Sequence, residues 1–564
     1  MVAENGDAFV THEVFNQSKP LSEYNLYTTN IALQEAVERE GGSWAHDNLQ
    51  KWGELLGKAE LYEQAALANK YEPVLKLFDR FGNRIDQVDF HPAYHKIMAA
   101  AVKQGIHSAP WSDPKPGAHV ARAAAAMLQV EIESGTQCPV TMTYGSVPTI
   151  AKRADIASVW LPKIYSREYD QSFRPVTEKS GAMIGMAMTE KQGGSDVRAN
   201  TTRATATGSA VDPYTIVGHK WFMSAPMCDA FLVVAQTKSG PSCFFVPRWL
   251  PDGSKNAIRI QRLKEKLGNK SNASSEVEFQ NASGYLIGEE GRGIPVIIDM
   301  ATYTRLDCAL GSSGLMRQVV AQALNHASYR QTFGKRLVEH ELMQNVLADL
   351  ILESEGAIAL AMRTARAFDN PEKEEEKAFK RIVTPAAKYW ICKRAPSLGV
   401  EAMEVMGGNG YTEEGVMARV YREMPVNSIW EGSGNVMCLD VLRAIAKSPE
   451  AVDLIRGEWR RAKGANQLLD RYADQLEGEL AATIKSPNER DARSLTEKLA
   501  LCVTGALLVQ HAPNAISDAF CSSRLERNWG DSFGTLNSSA KMTQIIERGM
   551  PTPHELRRHQ AVLN

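Results

Sequence analysis

The chain changes its hydrophobic period twice, and this limits the folds open to it. Up to about residue 175, Ala- and Leu-rich runs such as residues 98–102 and 120–128 alternate with Pro-Gly breaks, a helical texture. From residue 201 to about 288 the runs shorten to β-type segments, 214–217, 231–235, 243–246 and 276–279, separated by turn residues. Helical period returns at Pro295. Leu315, Met316, Val319, Val320, Ala323, Leu324 and Ala327 make one apolar face, and Leu342, Met343, Val346, Leu347, Leu350 and Ile351 another. The pattern predicts an α+β chain, mostly α. A helical domain over 1–182 precedes a β-barrel-like domain over 183–293. An antiparallel four-helix bundle over 294–446 follows, then a further helical segment over 447–564 that begins after Ser448-Pro449.

At 564 residues the chain is too long for one core. Its net charge of −2 gives no global field toward nucleic acid or anionic membrane. The eight cysteines are scattered without CxxC or metal spacing, which argues for a reducing compartment and against a zinc site or disulfide frame. The acidic start, Met1 to Asp7, lacks the apolar core of a secretory signal, and residues 560–564 carry no prenylation or peroxisomal signal. The longest apolar stretch, near 499–509, is about half a membrane span. A cytoplasmic protein with no membrane span is expected. The Asn-Ala-Ser triplets at Asn272 and Asn281 read as chance in such a chain.

One short loop carries chemistry. In Ile429-Trp430-Glu431-Gly432-Ser433-Gly434-Asn435 a lone carboxylate sits beside an indole, with two glycines that let backbone amides approach a ligand. An apolar neighbour raises a carboxyl pKa toward neutrality, which suits removal of a weakly acidic carbon-bound proton. A helix-entry turn with an incidental glutamate has the same sequence.

Four separated stretches share one order and spacing. They are residues 188–197 (MTEKQGGSDV), 217–224 (VGHKWFMS), 329–335 (YRQTFGK) followed by Gln344, and 404–411 (EVMGGNGY) leading into Trp430-Glu431-Gly432. Together they resemble the acyl-CoA dehydrogenase flavoprotein family, and in finer detail its AidB-type branch, over nearly the whole chain. The resemblance implies non-covalent FAD. Met186, Met188, Thr189, Gly194 and Ser195 would line the flavin, and Phe222 and Ser224 would lie against its ring. Arg330 and Phe333, with Gln344, would reach the adenosine-diphosphate end of a neighbouring subunit's FAD. Gly407 and Gly408 would admit the pyrophosphate, and Trp430, Ser433 and Asn435 would complete the cofactor site. Ser195, Arg305, Trp430 and Gly432 would contact substrate. No metal is implied. Most relatives have tryptophan and threonine where this chain has Phe222 and Ser224, and many have tyrosine in place of Trp430. Thr304 occupies the position where some members keep their base, so Glu431 is the family-consistent base.

The implied reaction is α,β-dehydrogenation of a fatty acyl-CoA by Glu431 as the catalytic base, with hydride passing to the flavin and then to an unidentified electron acceptor. A homo-oligomer, a tetramer in most members, is implied as well. Two other readings stand beside it. The AidB-type branch is associated with double-stranded DNA binding through its last domain. From residue 441 onward, though, roughly 17 Lys/Arg face roughly 15 Asp/Glu, so only weak binding is expected. The other reading is a protein that sequesters a medium or long acyl-CoA without turnover.

Overall fold

The computed structural model describes residues 11–209, 213–526 and 529–551. Arg557 and Arg558, a basic pair in the sequence, lie outside them, as do both extreme termini. The N-terminal part is helical, and its centre is α1 (Ala118–Ile132), buried along its whole length. Helix α2 (Gln137–Ile150) follows. One element departs from the helical expectation: a hairpin of β1 (Val74–Phe78) and β2 (Arg84–Asp89). Its inner residues Leu75 and Val88 pack on Ile260 of the β-domain, and Asp86 Oδ1 accepts the Ile260 amide at 3.0 Å. The strands are short and only one face is buried, so they leave little period in the sequence.

The β-domain runs from β3 (Ile184–Ala187) through β4 (Arg203–Ala206), β5 (Tyr214–Ser224), β6 (Ala230–Thr237), β7 (Gly240–Pro247) and β8 (Ile258–Leu263) to β9 (Ser274–Ile287). The path β6-β4-β5-β9-β7 closes through β6–β7 pairing, with β3 parallel to β6 and β8 on β9. Closure removes the exposed edges of an open sheet. Strand β6 is buried on both faces from Ala230 to Ala235, hence its unbroken apolar run.

Helix α3 (Gly293–Tyr329) is unbroken for 37 residues. It packs with α4 (Glu341–Asp369) and α5 (Glu374–Met406), and α7 (Gly434–Lys447) packs on α5, the helical bundle that the periodicity predicts; α6 (Met417–Glu423) lies in the connection before α7. A Cβ on Gly314 of α3 would stand 2.4 Å from Met127 O, so only glycine lets α1 lie this close. The last segment supplies α8 (Gln467–Lys485), α9 (Ala492–His511) and α10 (Met542–Gly549). It shares one continuous apolar core with the bundle rather than hanging from a linker. Buried ion pairs mark the seam. Arg363 joins Glu376 at 2.8 Å and Glu458 at 2.6 Å, and Arg524 joins Asp349 and Glu353.

Breaking a buried pair from one side strands the other charge in a low dielectric, at a cost of about 3–5 kcal/mol. Arg363→Ala leaves Glu376 with only the more exposed Arg366 and Glu458 with only the more exposed Arg461. Chemical denaturation should show the last segment unfolding at lower denaturant than in the parent; coincident curves would contradict the role given to this seam.

Candidate active site

Two of the four motifs are fastened to each other by a buried lysine. Lys220 of β5 donates Nζ to Glu190 Oε1 at 2.9 Å, to Met188 O at 3.2 Å and to Val234 O at 2.8 Å. Burial alone would raise the Glu190 carboxyl, but Lys220 and the hydrogen bonds from Thr201 and Thr202 outweigh it and hold it at about 2. The Trp221 amide donates to Thr189 O at 2.8 Å. Met186 lies in β3, and Met188, Thr189 and Gly194 follow it along an edge tied to β5, with Ser195 exposed beyond. Phe222 is 49% exposed, and Ser224 sits at the inner end of β5. Against Ser224 stands the thiol of Cys138 on α2, pushed by burial up to about 12 and therefore protonated.

The loop that carries Glu431 is pinned from three helices. Glu431 adopts φ +58°, the left-handed region, which costs a non-glycine residue about 1–2 kcal/mol. Thr304 Oγ1 of α3 lies 2.6 Å from Glu431 Oε2, and Arg305 Nε donates to Glu431 O at 3.1 Å. Arg305 is braced in turn by Asp440 of α7 at 2.9 Å, which also accepts from Arg381 of α5 at 2.8 Å. Lys388 of α5 donates to Asn427 O at 3.0 Å and to Gly432 O at 2.8 Å. The Trp430 indole donates to Asn427 Oδ1 at 3.0 Å. Ser433 opens α7, whose first amides have no side-chain cap, and Asn435 Oδ1 accepts from Arg493 of α9 at 2.8 Å. Burial raises the Glu431 carboxyl above the ordinary range, against the Thr304 hydrogen bond and the charges of Lys388 and Arg305.

Thr304 can serve both protonation states of its neighbour. Its hydroxyl also lies 3.1 Å from Ala301 O. It can donate to the Glu431 carboxylate, then turn to donate to Ala301 while accepting from the protonated acid.

The remaining site residues gather elsewhere. Arg330 follows the end of α3, and β10 (Gln331–Thr332) with β11 (Lys335–Arg336) forms a tight hairpin carrying Phe333, which is 99% exposed with φ +50°. Arg330 Nη1 donates to Asn16 O at 2.7 Å, and Gln344 Nε2 donates to Val338 O at 3.1 Å. Gly407 ends α5 at φ +61°, and neither it nor Gly408 has an atom within 4 Å of where a Cβ would stand. At 1.5 Å per residue, α3 separates Arg305 from Arg330 by about 37 Å.

These features fit FAD. The open turn at Gly407 and Gly408 leaves room for a phosphate, the uncapped first turn of α7 offers amides, and the half-exposed Phe222, with Lys264 Nζ 4.7 Å from its centroid, can meet a ring. Sequence reasoning missed Lys220, Lys388, Cys138 and Arg493, and it considered Thr304 only as a replaced base.

Thr304→Val removes the hydrogen bond that favours the charged form, so the Glu431 carboxyl should titrate at still higher pH. Carbon-13 NMR of glutamate-labelled protein reads this directly; an unmoved titration would show that the 2.6 Å contact does not stabilise the carboxylate.

The chain is similar to known proteins over most of its length. Residues 16–171 match the family model for the adaptive response protein AidB N-terminal domain. Residues 185–282 match the acyl-CoA dehydrogenase middle domain and 291–446 the C-terminal domain. AidB of Escherichia coli (strain K12) is 47% identical over 92% of this chain and 95% of its own length. Acyl-CoA dehydrogenase family member 11 of Caenorhabditis elegans is 27% identical over 83% of this chain and 80% of its own. The crystal structure of C. elegans ACDH-11 in complex with C11-CoA superposes with a TM-score of 0.80 at 25% identity, covering 98% of this chain and 95% of that one. The chain belongs to the acyl-CoA dehydrogenase family of FAD-binding oxidoreductases, in its AidB branch.

Proposed function

We propose that this protein dehydrogenates a fatty acyl-CoA thioester across its α,β-bond, with Glu431 as the base. The observation that carries this is the Glu431 carboxyl itself: buried, raised by that burial, and held in a strained backbone by Thr304, Arg305 and Lys388. A structural glutamate would not need that combination. Among the described residues the Glu431 amide donates to no protein acceptor, which suits a thioester carbonyl. Donation there stabilises the charge that develops as the α-proton leaves. Glu431 takes that proton on Oε, and Thr304 turns to accept from the acid so formed. Bound FAD supplies the acceptor for the β-hydride. Trp430, fixed by Asn427, walls the acyl channel. The C11-CoA held by the C. elegans structure supports a substrate of medium length.

The separation along α3 supports a homo-oligomer, a tetramer by analogy with the family. About 37 Å is more than one extended dinucleotide spans, so Arg330, Phe333, Gly407 and Gly408 are placed to serve the FAD of a neighbouring copy. An aromatic residue left fully exposed at a strained hairpin tip supports the same assignment. No helix among the described residues is long and apolar enough to cross a membrane.

Glu431→Gln keeps shape and removes the base. The variant should retain FAD and bind acyl-CoA, while anaerobic bleaching of the flavin by acyl-CoA slows at least about a hundredfold. Bleaching at the parental rate would assign the base elsewhere. Tight acyl-CoA binding without bleaching in both proteins would replace turnover with sequestration.

For DNA, the basic cluster near residue 460 is neutralised at home. Arg456 pairs with Asp453, Arg460 with Glu477 at 3.4 Å and Arg461 with Glu458 at 2.9 Å. Few phosphates can be neutralised together, so affinity for duplex DNA should be weak, independent of sequence and lost with added salt. Filter binding that persists well above physiological salt would contradict this.

A further inference from the structure

Buried lysines in this protein otherwise have carboxylate partners. Lys220 pairs with Glu190 at 2.9 Å, and Lys179 with Asp229 at 2.6 Å. That is the ordinary way to keep an ammonium out of water. Lys388 is the exception. Its residue is 1% exposed, and its ammonium has no carboxylate in bridging distance among the described residues. Its two hydrogen bonds go to the carbonyls of Asn427 and Gly432, on either side of Glu431. Stability alone does not account for a buried cation spent on two carbonyls that a neutral donor would satisfy.

We propose that Lys388 is a positioning residue for the Glu431 base: it clamps both ends of the loop from Asn427 to Gly432 and holds a positive charge behind the carboxylate. This rests on the reading of Glu431 as the base. The clamp resists relaxation of the left-handed backbone at Glu431, which would swing the carboxyl away from Thr304. The charge counters the desolvation that would otherwise keep the carboxyl protonated and idle. The other groups facing Glu431 do not replace it. Thr304 and Cys308 on α3 and Cys138 on α2 are neutral, and Arg305 is already committed to Asp440, which also pairs with Arg381. Of the two cations that donate to the segment from Asn427 to Gly432, Lys388 and Arg305, Lys388 is the one with no carboxylate in bridging distance among the described residues.

The test reads the Glu431 carboxyl without turnover. Infrared titration of the full-length FAD-loaded protein isolates its band as the difference between the parent and Glu431→Gln. Lys388→Met should move the titration of Glu431 to higher pH by about one unit or more, the scale for losing a nearby opposite charge. Lys388→Arg, which restores the charge, should return most of the shift. Lys388→Gln keeps a donor but no charge and should behave like Lys388→Met; it carries the test if the methionine variant does not fold. An unmoved titration in a folded, uncharged variant overturns the proposal. That outcome is distinct from failure of the base assignment, which appears as parental bleaching by Glu431→Gln.

Discussion

Helix α3 runs unbroken from beside the β-domain to the Phe333 hairpin, and its length sets what the rest of the molecule can do. In its first half it supplies Thr304 and Arg305 to the Glu431 loop; Arg330 follows its end. Helix α5 repeats the arrangement, with Lys388 under the loop and Gly407 at its far end. Two rigid rods therefore hold the Glu431 loop well apart from Arg330 and Gly407, the separation behind the proposed sharing of sites between copies. A rod cannot bend them together, because shortening either would tear the packing of α1 against α3 at Gly314.

At the Glu431 loop, several unfavourable terms are held in one place. Glu431 is desolvated and in a left-handed backbone, Lys388 is buried without an anion to itself, and Arg305 bridges the loop to Asp440. Each would relax if the surrounding helices allowed it. The bundle and the last segment, joined by Arg363, Arg524 and the continuous core, prevent that. Arg493 reaching Asn435 makes the last segment part of the wall behind the site rather than an appendage.

Much of this was legible in the sequence. The shift from helical periodicity to short unbroken apolar runs and back located the sheet domain, because β6 and β7 are buried along nearly their whole length. The hairpin at residues 74–89 escaped, since its strands bury one face each and their lysines and arginines mask the alternation. Glu431 was visible because its neighbours carry no charge and two of them are glycines. What sequence could not supply was the set of long-range partners. Lys388 stands as a lone lysine in the apolar run of residues 385–391, which marks it as unusual but does not say which carbonyls it meets 39 and 44 residues away. Lys220 and Glu190 lay in two motifs already recognised, yet their ion pair appears only when β5 is placed against the loop after β3.

The claim that each active site is shared between copies can be tested by mixing two defective subunits. Glu431→Gln lacks the base but keeps Arg330, whereas Arg330→Met lacks the cofactor donor but keeps Glu431. In a mixed assembly, shared sites put both defects in one site and leave another with Glu431 from one subunit and Arg330 from its neighbour. Flavin bleaching by acyl-CoA should then return in the mixed assembly, while each variant alone stays slow. Mixed assemblies, verified by tags on the two subunits, that remain as slow as the separate variants would show that one chain builds the whole site.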